Sequence, residues 1–373
     1  MKYIVFLCRL LVGGLFIISG LIKANDPLGF GYKLVEYFEV FGTEFLIPLA
    51  LPMAMLICIL EVVLGIAAII GYRMVAVSWG LLILIVGFTF LTFYSAYFDV
   101  VKDCGCFGDA LKLTPWESFT KDIILLALIL PIFIYRKKIE PLFKGYIASA
   151  LVVMSLILCT GFTLYCYYFL PVKDFRAYAM GKDIKKQMEI PPDADRGEME
   201  IIFKYEKDGV VHEFGMNDLP ANIGEYTFVA REDKVIREGF QPAITDFRIE
   251  NSDGQEYTDD FLDYNDYWFM VVCYDLKRTN KKVQEDFNKI ANLAEEMGIR
   301  IVGLTGSLPS EAEAIRHEFQ NPFEYYFCDE IVLKTIVRSN PGLVLMHGGE
   351  VKGKWHHNEL PDLTTLPYFI NRK

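Results

Sequence analysis

Long apolar runs separated by short polar loops dominate the first 170 residues of the chain. A helix needs about 20 apolar residues to cross the hydrocarbon core of a bilayer. The pattern therefore predicts five membrane-spanning helices, at Tyr3–Ile22, Phe45–Ile70, Met74–Phe98, Phe119–Tyr135 and Tyr146–Leu170. No small-residue cleavage site follows the first run, so we expect a retained span rather than a cleaved signal peptide.

Two shorter signals lie beside these runs. Thr114–Glu117, with the sequence Thr-Pro-Trp-Glu, has the form of a capping box and predicts the start of the fourth span. In the loop Lys23–Thr43, apolar residues at Leu34, Phe38 and Phe41 predict a short amphipathic helix docked at the membrane surface.

After residue 170 the pattern changes to short alternating runs with many charged residues. A hairpin signal at Lys207–Gly209 lies between two alternating segments and predicts a small β-rich linker domain. Strands and helices then alternate, which predicts a soluble α/β domain. The predicted parts are a four-helix transmembrane bundle (1–140), a fifth, linking transmembrane helix (141–172), the linker domain (173–240) and the α/β domain (241–373).

The α/β domain is predicted to contain strands and helices in alternation, then a β-hairpin and a last helix. The elements are Trp268–Tyr274, Lys282–Met297, Arg300–Leu304, a helix capped by Ser310, Phe323–Phe327, Glu330–Val337, Leu343–Met346, Glu350–Trp355 and a helix near Leu360–Tyr368. This order resembles thioredoxin-like domains, and Pro341 matches the position of their cis-proline. Asp275–Arg278 stands where those domains carry Cys-x-x-Cys, so we expect a domain that is redox-inactive by itself.

Composition and loop charge indicate where in the cell the chain lies and how it is oriented in the membrane. The chain of 373 residues is 53% hydrophobic with a net charge of −11, and no basic stripe exists to bind nucleic acid. Lys and Arg in short loops favour the cytoplasmic side. The side that carries the N-terminus, called side A, receives the cluster Arg136–Lys138, whereas the lysines on side B are diluted by acids. We therefore predict a multi-pass protein of a bacterial inner membrane with its C-terminal domain on side B, outside the cytoplasm.

Two ionisable residues lie inside the predicted spans. Arg9 and Glu61 are about 9 and 13 Å deep from side A, at 1.5 Å per residue. Buried charges in a membrane are usually paired or functional, so we predict that they form an intramembrane polar pair. The alternatives are that Arg9 reaches the headgroups and that Glu61 is a protonated structural carboxyl.

The strongest chemical signal is Asp103–Asp109, with the sequence Asp-Cys-Gly-Cys-Phe-Gly-Asp, in the side-B loop between the third and fourth spans. Cys104 and Cys106 are one residue apart and can form a strained, readily reduced disulfide or act as a dithiol. A fixed structural disulfide is the alternative. A metal site would need more ligands than the loop offers.

A family resemblance becomes visible at these residues. Arg9–Lys23 resembles the opening span of the DoxX family, and Glu61 with the following Gly65 and Gly71 resembles its second span. The Cys-Gly-Cys-Phe-Gly run resembles the related MauE branch. The resemblance covers about residues 1–140 and implies a four-helix bundle linked to thiol–disulfide or quinone chemistry. The architecture is also similar to bacterial vitamin K epoxide reductase homologues, which use a second, shuttling cysteine pair that this sequence lacks on side B.

Two functions are consistent with these features. In the first, Cys104 and Cys106 exchange electrons with protein thiols outside the cytoplasm, and the bundle passes the electrons to quinone. In the second, the chain is a non-enzymatic assembly factor whose α/β domain holds a client protein. The Cys-Gly-Cys run favours the first function and the missing Cys-x-x-Cys favours the second. We expect a thiol-disulfide oxidoreductase.

The orientation is testable with reporter fusions. A fusion after Leu170 is expected to report the outside of the cytoplasm, and a fusion within Arg136–Lys144 the cytoplasm, because the basic cluster marks side A. Paired alkaline phosphatase and green fluorescent protein fusions measure both. A cytoplasmic signal after Leu170 would contradict the orientation and the redox hypothesis together.

Overall fold

The computed structural model describes residues 2–101, 105, 107–111, 113–195, 197–207, 209–215, 218–220, 222–237 and 239–362. Among these, five helices are long and apolar enough to cross a membrane, as predicted. They are α1 (Lys2–Asn25), α3 (Ala50–Ile70, preceded by the 3-10 helix Glu44–Leu49), α4 (Met74–Phe98), α5 (Pro115–Tyr135) and α6 (Gly145–Tyr168). A further helix, α2 (Pro27–Val40), follows α1 directly.

Local capping explains where two of these helices begin. Asp26 caps α2 by accepting a hydrogen bond from the Gly29 N–H at 2.9 Å. The predicted capping box is present at α5, where the side chain of Thr114 accepts from the N–H of Glu117 and the Glu117 carboxylate accepts from the N–H of Thr114. The fourth span therefore begins at Pro115, one turn earlier than its apolar run.

Glycines bring α1 and α3 into close contact. A Cβ atom at Gly13 would lie 2.7 Å from the carbonyl oxygen of Gly65, and a Cβ at Gly20 would lie 2.7 Å from Val62 Cγ2. Both positions require glycine at this distance, in the manner of small-residue contacts between membrane helices. The contact fixes an antiparallel register in which Gly20 lies opposite Glu61.

Residues Asp183–Phe247 form a compact unit of their own. The unit begins with a short helix, α7 (Ile184–Met188), and contains an antiparallel sheet in the order β2-β1-β3. Its strands are β1 (Glu198–Lys207), β2 (Val210–Gly215) and β3 (Thr227–Arg237). Strands β1 and β2 pair as an antiparallel hairpin, from Lys207 opposite Val210 to Ile202 opposite Gly215.

The C-terminal region is a mixed α/β domain with a five-stranded sheet in the order β6-β5-β4-β7-β8. Strands β4, β5 and β6 are parallel, and β7 and β8 form an antiparallel hairpin beside β4. The elements are α8 (Thr258–Leu262), β4 (Tyr267–Val272), α9 (Gln284–Glu296), β5 (Arg300–Thr305), α10 (Pro309–Phe319), β6 (Tyr325–Phe327), α11 (Glu330–Ile336), β7 (Gly342–His347) and β8 (Glu350–His356).

Both faces of the central strand β4 are buried. Phe269 and Val271 pack in one cluster with Phe287 of α9, whereas Trp268 on the other face contacts Phe261 of α8 at 5.0 Å between ring centroids. A strand covered on both sides explains the unbroken apolar run that identified it in the sequence.

Most of the predicted elements of this domain are present, with shifted ends. The strand predicted at Phe323–Phe327 is shorter, because only Tyr325–Phe327 pairs with β5. The helix predicted near Leu360–Tyr368 is not formed at 360–362, and the rest of it lies outside the described residues. The resemblance to thioredoxin-like domains stays a prediction.

Candidate functional site

Glu61 forms a buried ion pair with Lys23, not with Arg9. The distance from Lys23 Nζ to Glu61 Oε1 is 2.5 Å, and the side chains are 3% and 2% exposed. Lys23 also donates to Ser19 Oγ at 3.0 Å, and its ammonium group lies 4.7 Å from the ring centroid of Phe88. The second carboxylate oxygen, Glu61 Oε2, is buried and has no hydrogen-bond partner among the described residues.

The predicted pair of Arg9 and Glu61 is therefore wrong. Arg9 donates from Nε to the carbonyl of Ala68 at 2.8 Å and from Nη2 to that of Ile69 at 2.6 Å. These carbonyls belong to the last turn of α3, which has no further helical N–H donors and attracts cations. The register of α1 and α3 places Arg9 at this turn, about 10 Å along the axis from Glu61.

A second carboxylate, which the prediction of site residues missed, lies in α5. Asp122 is buried, accepts a hydrogen bond from Thr92 Oγ1 at 3.0 Å and forms an ion pair with Lys121 at 2.9 Å. Its acidic residue type inside an apolar span was the signal that could have identified it.

These groups line one cavity in the side-B half of the bundle. Its apolar wall consists of Leu15, Phe16, Ile85, Phe88 and Leu125. Its polar wall consists of Ser19, Lys23, Glu61, Lys121 and Asp122. Phe107, from the loop between α4 and α5, completes the lining, so the cavity combines apolar surface, ammonium donors and a carboxylate oxygen that accepts no bond from the described residues.

Cys104 and Cys106 lie outside the described residues, and their assignment to a site stays a prediction. Their covalent neighbours are described. Gly105 is buried against α2, where a Cβ atom would lie 3.2 Å from Lys33 Cγ. Its φ of +67° is in the region that favours glycine. The ring of Phe107 lies 5.3 Å from the Lys121 ammonium group.

The described cysteines do not form a competing redox centre. Cys8, Cys58, Cys159, Cys166, Cys273 and Cys328 are all buried, and none of these six forms a disulfide bond. Cys273 and Cys328 are thus not bridged, and burial raises the pKa of the Cys273 thiol to about 12. A thiol with that pKa is not a nucleophile near neutral pH.

The α/β domain contacts the side-B end of the bundle through the segment before β7. Arg338 donates from Nε to both carboxylate oxygens of Asp26, at 3.0 and 2.9 Å. Burial alone would raise the pKa of Asp26, but the guanidinium groups of Arg338 and Arg176 outweigh it and lower that pKa. In the same segment, the Asn340–Pro341 peptide bond is cis, at the position expected from the sequence.

Two adjacent histidines lie at the end of β8. The Nδ1 atom of His357 is 2.9 Å from the Oγ atom of Ser339, and burial beside His357 lowers the pKa of His356 to about 3. Within the described ranges, no group of three or more His, Cys, Asp or Glu side chains is arranged to hold a metal ion.

Comparison with known protein families finds a match for the membrane half of the chain. Residues 1–135 match the family model of the methylamine utilisation protein MauE. The chain is therefore similar to MauE over its membrane half. The match ends with α5, so it covers the four helices that surround the cavity and the Cys-Gly-Cys loop. Residues 199–238 match a domain of unknown function, DUF8463, which corresponds to the three-stranded sheet. No curated protein and no solved structure matches the chain.

The ion pair of Lys23 and Glu61 is expected to be essential for the stability of the transmembrane bundle. Glu61→Gln leaves a buried ammonium group without its counter-charge and is expected to lower the free energy of unfolding by about 3–5 kcal/mol. The double variant Lys23→Met, Glu61→Leu is expected to recover most of that loss, because no charge remains buried. Chemical unfolding in detergent measures all variants.

Glu36→Gln is the matched control. It removes a carboxylate from the exposed pair with Lys33, whose atoms are 3.0 Å apart, and is expected to cost under about 1 kcal/mol. Equal losses in Glu61→Gln and Glu36→Gln would refute the role given to the buried pair.

Proposed function

We propose that this protein is a membrane thiol–disulfide oxidoreductase that uses Cys104 and Cys106 on the outer side of the cytoplasmic membrane. The observation that carries the proposal is the position of Phe107. This residue follows Cys106 directly in the chain and lines the cavity that holds Lys23, Glu61 and Asp122. Cys106 is joined by a peptide bond to this residue of the cavity wall. The cysteine pair is therefore suited to exchange electrons between thiols outside the membrane and an acceptor in the cavity.

The exchange with a partner dithiol needs no other oxidant, because the Cys104–Cys106 disulfide accepts both electrons. A partner dithiol attacks the Cys104–Cys106 disulfide through a mixed disulfide, and the partner leaves as a disulfide with Cys104 and Cys106 reduced. Asp103 and Asp109 flank the pair and disfavour thiolates, which supports an oxidised resting state that accepts electrons. The partners would be protein thiols outside the cytoplasm.

The residues of the cavity fit a quinone as the second partner. Its apolar wall suits a lipid-soluble ring, and the ammonium groups of Lys23 and Lys121 suit carbonyl oxygens. A quinone bound there would accept two electrons and two protons as Cys104 and Cys106 return to the disulfide. Glu61 belongs to the same wall, and its Oε2 atom, which accepts no bond from the described residues, would take up one of the protons released by the thiols and pass it on to the quinone.

The alternative is a non-enzymatic assembly factor that binds a client through the α/β domain. The sequence Asp275–Arg278, in place of a Cys-x-x-Cys, favours it. Against it, the surface around Tyr274 and Arg338 is in contact with α2 of the same chain, with Tyr32 Oη 3.5 Å from Tyr274 Oη. A client would have to displace α2 to reach that surface.

The two functions give different results for the cysteines. Cys104→Ser and Cys106→Ser are expected to abolish activity while insertion and folding persist, because each removes half of the exchanging pair. Complementation of a deletion strain measures activity, and alkylation of trapped thiols in wild-type cells is expected to show both redox states. Cys159→Ser, at a buried cysteine of α6, is the control and is expected to remain active. Full activity of either loop variant would refute the redox function and favour the client-binding function.

The electron acceptor is tested separately in liposomes. Purified protein with a short-chain ubiquinone and a reduced dithiol is expected to reduce the quinone, followed by its ultraviolet absorbance. The rate is expected to fall at least tenfold in Cys106→Ser and in Asp122→Asn, since the latter changes the charge of the cavity wall. Unchanged rates in both variants would exclude quinone reduction by this route.

A further inference from the structure

Arg338 joins the α/β domain to the bundle at the Cys-Gly-Cys loop. The residue lies between α11 and β7, and its side chain is only 6% exposed. Its Nη2 atom is 2.9 Å from Asp26 Oδ2 and 4.0 Å from Asp109 Oδ2. Asp26 begins α2, and Asp109 ends the Cys-Gly-Cys segment, so one guanidinium group contacts both a fixed helix end and the loop.

The same helix supports the loop from the other side. Gly105 packs on α2, where a Cβ atom would lie 3.2 Å from Lys33 Cγ and 3.8 Å from Phe30 Cδ2. Tyr32, between these two residues, lies with its ring centroid 5.3 Å from Arg338 Cζ and 5.0 Å from Lys334 Nζ. Helix α2 is therefore in contact with the loop and with the α/β domain at neighbouring positions.

Further hydrogen bonds join the end of α6 and the residues after it to α1 and to the α/β domain. The side chain of Asn25 donates to the carbonyl of Lys173 at 2.7 Å and accepts from its N–H at 3.0 Å. Asn358, after β8, donates to the carbonyl of Tyr168 at the end of α6 at 2.8 Å. The contact of Arg338 is thus part of a docked surface.

We propose that Arg338 is a positioning residue for Cys104 and Cys106, holding their loop against α2 and setting the charge that their thiols experience. This inference rests on the proposed redox function. It gives the α/β domain, which lacks its own cysteine pair, a role in the chemistry of the loop: the domain contributes the cation.

The charged groups around the loop determine whether a substitution raises or lowers the pKa of the thiols. Cations face it from α2 (Lys33), from α5 (Lys121), from α1 (Lys23) and from the α/β domain (Arg338). The carboxylates are Asp26, Asp109 and, by sequence, Asp103. Removal of the guanidinium group takes away one positive charge beside the loop, which disfavours a thiolate, whereas removal of one carboxylate favours it.

The test measures the thiol pKa in the full-length protein in detergent. After reduction, the rate of iodoacetamide alkylation of the peptide that contains Cys104 and Cys106 is followed against pH by mass spectrometry. We expect Arg338→Gln to raise the thiol pKa by about 1, because it removes a positive charge beside the loop, and Asp109→Asn to lower it, because it removes a negative charge. Arg338→Lys is expected to lie between wild type and Arg338→Gln, because lysine keeps the charge but not the paired contacts.

Arg278→Gln is the matched control, since this arginine of the same domain has an 80% exposed side chain and is expected to leave the thiol pKa unchanged. Asp109→Asn keeps the pair of Arg338 and Asp26, so it reports on the loop even where Arg338→Gln disturbs docking. Opposite shifts in Arg338→Gln and Asp109→Asn support the inference. Shifts in the same direction, or none, overturn it. Failure of the redox function is seen independently, as full activity of Cys104→Ser.

Discussion

The close contact between α1 and α3 sets the positions of the charged residues in the bundle and of the segment that leads to the α/β domain. Gly13 and Gly65 bring the two backbones together, and the resulting register decides which charged side chains meet in the membrane. It places Lys23 within reach of Glu61 and Arg9 at the last turn of α3. It also fixes the end of α1, from which Asp26 and α2 continue toward the α/β domain.

Charge compensation is the second constraint, because a lone charge in a medium of low dielectric constant is strongly disfavoured. Lys23 pairs with Glu61 and Lys121 with Asp122 inside the bundle, and Arg338 pairs with Asp26 at its edge. A buried ion pair adds little stability over an apolar pair of the same shape, so its presence in a cavity wall calls for another reason. In the proposed function, proton transfer and recognition of a quinone carbonyl group supply such a reason.

The α/β domain and the bundle contribute different parts of the proposed site. The sequence of the domain contains no Cys-x-x-Cys, whereas the bundle has a Cys-Gly-Cys in a loop whose last residue, Asp109, lies 4.0 Å from Arg338. Arg338 and Tyr274 belong to the domain, yet their polar contacts are with Asp26 and Tyr32 of the bundle segment. In the proposed function, the loop supplies the sulfur atoms and the domain holds the loop in place.

Local patterns along the chain were sufficient to predict its elements. The length of the apolar runs predicted the five spans, the Thr114–Glu117 pattern predicted the start of α5, and alternation of strands and helices predicted the order of the α/β domain. These features depend on residues close together in the chain, so a single sequence carries them. The same local patterns located the Cys-Gly-Cys loop, though not its surroundings.

The partners of the charged residues, by contrast, depended on tertiary packing. Glu61 was expected to meet Arg9 because both are ionisable and lie at similar depth, but the register of α1 and α3 separates the two residues by about 10 Å along the axis, nearly two helical turns. Asp26 and Arg338 are 312 residues apart, and no local pattern relates them. Depth in a membrane can be obtained by counting residues, whereas contact depends on helix register and domain docking, which are set by packing across the whole chain.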